Sequence, residues 1–478
     1  MKSPILGSSY VARSVNAADN RMVNLFPEAI PEGGKEPAFL SRCPGLSLLA
    51  TIGDGPIRGL WTFGDYLYVV SNNTLYKVTS SYVATSLGTV SGTGPVSMSD
   101  NGTQLFVACD PDGFIYNAQT NTFAEITDID FPGAVTVGYL DGFFVFNEPD
   151  SQTLWVTQLL DGTSIDPTNY ASAEGSPDGV VGLIVDHGEL WVFGTNSTEV
   201  WYNAGNAGFP FQRISGALTE IGCASAYTLA KADNTVFWLS SDARGHGIVY
   251  RARGYSGERI STHAVEWQIQ QYGDLSDALA YTYQQDGHAF YVLVFPSQDT
   301  TWVYDASTQA WHERCGFDET TGLFTRHRSN CQVFFNNLVI VGDYEDGKIY
   351  SFDLDTYADN GSIQKWLRSW RALPTGVNNL TRSTHHSLQL DCEVGVGLNS
   401  GQGSDPQVML RWSDDGGHTW SNEHWLSMGR IGTYGTRVIW RRLGMTMKIR
   451  DRVYEVSGTD PVKVIILGAE LIVSPTNA

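Results

Sequence analysis

A chain of 478 residues with 42% hydrophobic content supports two or three domains, or one large β domain with attachments. Only 17% of its residues are charged, which excludes a long solvated helix or a disordered acidic tail. A formal net charge of −21 excludes tight binding of DNA as a ligand, since affinity for phosphates needs Lys and Arg; it does not exclude DNA that merely passes by.

In chain order, residues 1–55 show no repeat and contain an irregular stretch, PEAIPEGGKEP from Pro27 to Pro37. A strand–turn–strand pattern then begins. Leu60–Val70 carries a Gly64-Asp65 turn and leads through Asn72-Asn73 into Thr74–Val78. Small and Asx residues supply the positive φ of tight hairpins. The pattern returns with central strands starting near residues 105, 143, 190, 236, 290 and 338, after turns such as Asp141-Gly142, His187-Gly188, Asp233-Asn234, Asp286-Gly287 and Asn336-Asn337. Steps of 38 to 54 residues suit four-stranded propeller blades. A near-continuous apolar strand must be buried on both faces, which one blade cannot do alone. The fold expected is all-β: a propeller over 56–360, with six or seven blades both compatible with seven hairpin signals. A β-sandwich pair is the competing arrangement.

Residues 361–478 break the period and carry 13 basic and 10 acidic residues, a net of +3; residues 1–360 therefore carry 17 and 41, a net of −24. Strands are expected at 407–412, 437–440, 445–449 and 462–466, forming a small separate all-β domain. With the N-terminal segment it would make a platform.

The six cysteines form no C-x-x-C pair and read as thiols of a reducing cytoplasm. No apolar run reaches the ~18 residues of a membrane helix, and the first residues lack the apolar core of a signal peptide, so neither membrane insertion nor standard export is expected. No Walker A loop, nucleophile elbow or H-E-x-x-H occurs. His385-His386 and His312-Glu313 read as packed or surface residues, and no catalytic, metal or cofactor residue is assigned. Among so many acids some glycosidase-like pair always looks plausible, so that signal is empty.

Ser413, Asp415, Gly417, Thr419 and Trp420 fit S-x-D-x-G-x-T-W, which resembles the Asp-box of sialidase-like propellers. Its physics is local: the Asp caps a turn by accepting backbone N–H groups, and glycine takes the strained position. Arg437, Arg441, Arg442, Lys448, Arg450 and Arg452 form a basic cluster around expected strands. They would either pair with acids on one polar face or dock an acidic neighbour.

Several ordered stretches resemble the tail-nozzle, or packaged-DNA stabilisation, family of short-tailed phages. They are Arg21, Asn24, Pro27 and Glu28 followed by Pro44-Gly45-Leu46; Tyr170–Glu174; Trp302, Tyr304, Asp305, Thr308, Trp311 and Arg314; and Arg411–Gly417 with Gly432, Tyr434 and Arg437. The resemblance implies a six-bladed propeller and a non-enzymatic virion protein, made in the host cytoplasm. It also implies a homo-hexamer around the tail axis, contacts with an adaptor or head-completion ring and with tail fibres or tailspikes, and double-stranded DNA retained in and conducted through the lumen without sequence-specific binding. A negative wall would keep DNA from sticking. The alternatives are a glycan-processing propeller enzyme and a glycan- or protein-binding propeller outside any virion.

Overall fold

The computed structural model describes residues 1–15, 17–242, 245–377, 381–447 and 451–476, with the side chains of 242, 245 and 246 outside the description. Seven four-stranded antiparallel blades follow one another; five are separate sheets, blade 6 is part of a nine-stranded sheet and blade 7 part of a six-stranded one. Blades 1 to 6 run in sequence, with innermost strands at Ile57–Phe63, Ser97–Asp100, Val137–Leu140, Val180–Asp186, Ala230–Ala232 and Leu279–Gln285. Blade 7 is built from Ser329–Phe335, Leu338–Asp343 and Lys348–Asp353, and its outermost strand is Gly45–Thr51 from near the start of the chain. The count is therefore seven, not the six implied by the resemblance, and each hairpin signal corresponds to one blade. Residues 45–51, placed before the propeller on periodicity, close its ring.

The turns explain the hairpins. Asp141-Gly142, His187-Gly188, Asp286-Gly287 and the Asx pairs 233–234 and 336–337 all have both residues at positive φ, as two-residue hairpins that follow the strand twist require. The strands explain the ring. Side chains alternate along each central strand and feed two different neighbours. In blade 2, Leu105 and Val107 pack towards blade 1 with Tyr68 and Val70, while Phe106 packs towards blade 3 with Phe144 and Phe146. The same alternation produces one apolar cluster for each remaining blade pair. The seventh joins Ile340 and Ile349 of blade 7 to Leu67 and Val69 of blade 1, where Asn330 Nδ2 also donates to the Ile57 carbonyl (3.1 Å).

The remaining strands form a β-sandwich at the outer edge of blades 6 and 7. One sheet has the order 438–441, 383–392, 465–475, 38–42, 25–29, with Pro27 on the edge strand, where a missing N–H is tolerated. The other extends blade 6: Ala310–Glu313 pairs with Met22–Val23, then Trp366–Arg371, Val453–Gly458, Gln407–Ser413 and His424–Ser427. Leu25, Leu40, Leu388, Ile466 and Leu471 of the first sheet meet Trp366, Trp370, Val408, Leu410 and Tyr454 of the second in one core. The strand expected at 445–449 reduces to a single bridge from Met445 to Thr384, with residues 448–450 outside the described chain. The strand expected at 462–466 begins at Ile465.

Candidate assembly surfaces and the interdomain junction

The N-terminal segment ties the two bodies together. Asn24 is fully buried with φ 53°, a conformation Asn tolerates better than most residues. Its Nδ2 donates to the carbonyls of Cys315 and Lys365 (both 2.8 Å), and its Oδ1 accepts from Cys315 N (2.9 Å). Arg21 grips Glu313 with two nitrogens (Nε–Oε1 2.9 Å, Nη2–Oε2 2.7 Å), the fork geometry that favours arginine. Arg42 is buried and donates to the carbonyls of Asp460, Val462 and Tyr357, so one side chain holds loops of the sandwich and of the blade 7 connection. Gly45 has no room for more: a Cβ there would lie 2.5 Å from the Ala358 carbonyl oxygen and 2.6 Å from that of Thr356.

The Trp302–Arg314 motif is a hairpin whose Asp305, Trp311 and Arg314 make defined contacts. Asp305 accepts from Ser307 N and Thr308 Oγ1 across the turn and from buried His288. Trp311 donates its indole N–H to Ile260 O (2.9 Å). Arg314 is fully buried among the rings of Phe352, Tyr283 and Phe290, 5.2 to 5.6 Å from its guanidinium carbon. Tyr170 packs on Trp155 with ring centroids 5.0 Å apart and the rings tilted by 34°.

The Asp-box closes as a capped turn. Ser413 Oγ donates to Asp415 Oδ1 (2.6 Å) and accepts from Gly417 N (2.8 Å); Asp415 accepts from the backbone of His418 and Thr419 and from Thr419 Oγ1. Hydrogen bonds from Ser413 and Thr419 hold this exposed carboxyl well below the usual carboxylate range. Gly417, at φ 102°, lies against the N-terminal segment, where a Cβ would sit 2.5 Å from Asp19 Oδ2. Trp420 lies under the Arg411 guanidinium at 4.7 Å. The polar side chains of the box are engaged in holding the turn.

The basic cluster divides. Arg452 is buried: it pairs with Asp414 through two nitrogens (2.7 and 2.8 Å), donates to the carbonyls of Leu443 and Met445, and lies between Trp412 and Tyr454. It is a core pin and does not belong to a docking face. Arg437, Arg441 and Arg442 are exposed; Arg437 donates to Gln389 Oε1 (2.6 Å). Val438 and Trp440, between Arg437 and Arg441, point into the core. Lys448 and Arg450 lie outside the described residues.

Beside these arginines stand exposed apolar side chains that the strand pattern does not signal: Trp425, Ile431 and Tyr434, 58%, 57% and 75% exposed. Trp425 lies on the strand His424–Ser427, and Ile431 and Tyr434 lie in the loop leading to Val438–Arg441; the two strands meet where Trp440 Nε1 donates to His424 O (2.8 Å). The innermost strands of all seven blades line an axial funnel of about 500 Å³, with Trp61, Tyr139, Lys231 and Gln332 on its wall. Among the described residues there is no group of His, Cys, Asp and Glu able to hold a metal, and no helix long and apolar enough to cross a membrane. His312 is buried beside Arg314, and His385 and His386 bond Tyr454 and Ser474.

A closed propeller sharing a sheet with a sandwich, its motif residues engaged in folding contacts, defines a structural component of a phage tail once it is set beside known families. Residues 1–357 match the family described as Bacteriophage P22 Gp10, beta-propeller, and residues 365–474 match Bacteriophage P22 Gp10, beta-sandwich. The chain belongs to this packaged-DNA stabilisation family of short-tailed phages. No curated protein matches it. Solved structures that it resembles include the computationally designed Ika8 protein (13% identity, 64% of this chain and 99% of that one, TM-score 0.39). Others are the extracellular domain of BT4673 from B. thetaiotaomicron (13%, 88% and 58%, 0.43) and streptogramin B lyase (10%, 64% and 97%, 0.42).

Proposed function

We propose that this tail protein is the nozzle subunit: six copies surround the tail axis below an adaptor ring, retain packaged DNA and conduct it during ejection, without catalysis. The observation that carries this reading is the pair of family matches, which together span nearly the whole chain. The net charge of −21 supports it, since a strongly anionic tube repels DNA rather than binding it. The N-terminal strands and the sandwich would form the platform that meets the adaptor, with tail fibres or tailspikes as further neighbours. The test is complementation of phage particles that lack the protein. Added protein should restore DNA retention, and negative-stain images should show six-fold density at the tail. Particles that hold their DNA equally well without it, or pure protein that releases reducing ends from host-surface polysaccharide, would overturn the reading.

A further inference from the structure

Charge is segregated within the chain more sharply than the domain totals show. Between Lys77 and Arg213 there are 16 acidic residues and neither a lysine nor an arginine. This stretch contains blades 2 and 3 whole and most of blade 4. Between Met428 and Met447 on the sandwich there are four arginines and no acid. The sandwich is attached at blades 6 and 7, so blades 2 and 3 stand across the ring from it.

Each surface also carries apolar side chains held in place. In the connection from blade 2 to blade 3, Ile129 is 95% exposed between Asp128 and Asp130. The loop beneath it is fixed: Asp128 accepts from Asp130 N and from Ile165 N (both 3.0 Å), and Phe131 packs on Phe146 (5.5 Å). On the sandwich, Trp425, Ile431 and Tyr434 are exposed along the same stretch of chain as the exposed Arg430, Arg437 and Arg441. Their loop is also fixed, by Gly432 N to Gly395 O (3.0 Å) and Thr433 N to Arg430 O (2.9 Å). Apolar groups ringed by opposite charges are complementary in both hydrophobic and electrostatic terms.

We infer that the acidic Ile129 knob of one copy docks on the arginine-rimmed Trp425–Ile431–Tyr434 patch of a second copy of this chain. The inference deepens the nozzle reading and rests on it. Because the two surfaces differ and lie on opposite sides of the molecule, the contact is head-to-tail, the kind that closes into a ring when the rotation permits.

The experiment uses full-length chains in the complementation assay, with incorporation into particles quantified for variants whose melting curves match the native one. Ile129→Glu, Asp130→Arg and Arg437→Glu should each lower incorporation about tenfold, and Asp130→Arg with Arg437→Glu together should recover most of it. Single variants that incorporate as the native chain does would overturn the contact while leaving the nozzle reading intact. Loss in the single variants without recovery in the charge swap would assign the patch to another neighbour and also overturn it. Failure of the native chain to enter particles would remove both readings.

Discussion

His385 sets an acid limit on the sandwich. Its ring is buried, Nδ1 faces the Tyr454 hydroxyl (2.8 Å) and Nε2 faces Ser383 Oγ. Desolvation, helped by the nearby positive charge of Arg452, pushes its pKa down to about 3. The unfolded chain takes up this proton near pH 6.5 and the folded chain does not until about pH 3. Stability from this residue is therefore complete above pH 6.5 and falls by about 1.4 kcal/mol per pH unit between those limits. Asp359 acts in the opposite sense. Burial raises its pKa to about 6, so the folded state gains stability as pH falls from 6 towards 3.8. His385→Gln should flatten the acid side of the stability–pH curve measured by denaturant unfolding, and leave the Asp359 contribution visible. Arg452 shows why six basic residues close in sequence did not make one face. Its partner Asp414 lies 38 residues earlier, and nothing local signals that the pair meets inside the core. Arg452→Ala strands Asp414 and two carbonyls, and should lower sandwich stability by about 3–5 kcal/mol in the same assay.

At the scale of elements, legibility followed locality. Hairpins announce themselves through paired positive-φ residues and apolar central strands, so the seven hairpins were readable from spacing, but spacing left six or seven blades open. The strand that closes the ring was not readable, because its partner Lys348–Asp353 is some 300 residues away and no hairpin joins the two. The two central sandwich strands Trp366–Arg371 and Val453–Gly458 also escaped. Covered on both faces, they bury Arg368, Ser369, Glu455 and Ser457 beside their aromatics, and no alternation survives. The closing strand can be tested at its tightest point. A methyl group at Gly45 would overlap the carbonyls of Ala358 and Thr356, and backbone cannot yield as a side-chain tip does. Gly45→Ala should destabilise the propeller by about 1–3 kcal/mol and lower its melting temperature, followed by circular dichroism. Gly64→Ala is the control for space: at φ 58° it is strained, but nothing lies within 4 Å of its Cβ.

At the scale of the molecule, one sheet runs from blade 6 through Met22–Val23 into the sandwich. Two domains joined by a linker would flex; two sharing hydrogen-bonded strands move as one. The weak place in that sheet is its shortest member, which pairs with Glu313 on one side and with Leu367 and Arg368 on the other. Asn24 follows it and satisfies three buried backbone groups with one amide. Asn24→Ala removes all three bonds and leaves the left-handed backbone in place, a loss of about 3 kcal/mol or more concentrated at the junction. The blades and the sandwich core keep their own apolar clusters in this variant. The expected result is separation rather than collapse. The native chain should melt in a single transition and resist proteolysis between Asp353 and Trp366, whereas Asn24→Ala should melt in two and be cut there. If the chain is the nozzle subunit proposed above, the same variant should assemble yet leak DNA on mild heating. A native-like single melt in Asn24→Ala would mean that the junction draws its strength from Arg21, Arg42 and the closing strand instead.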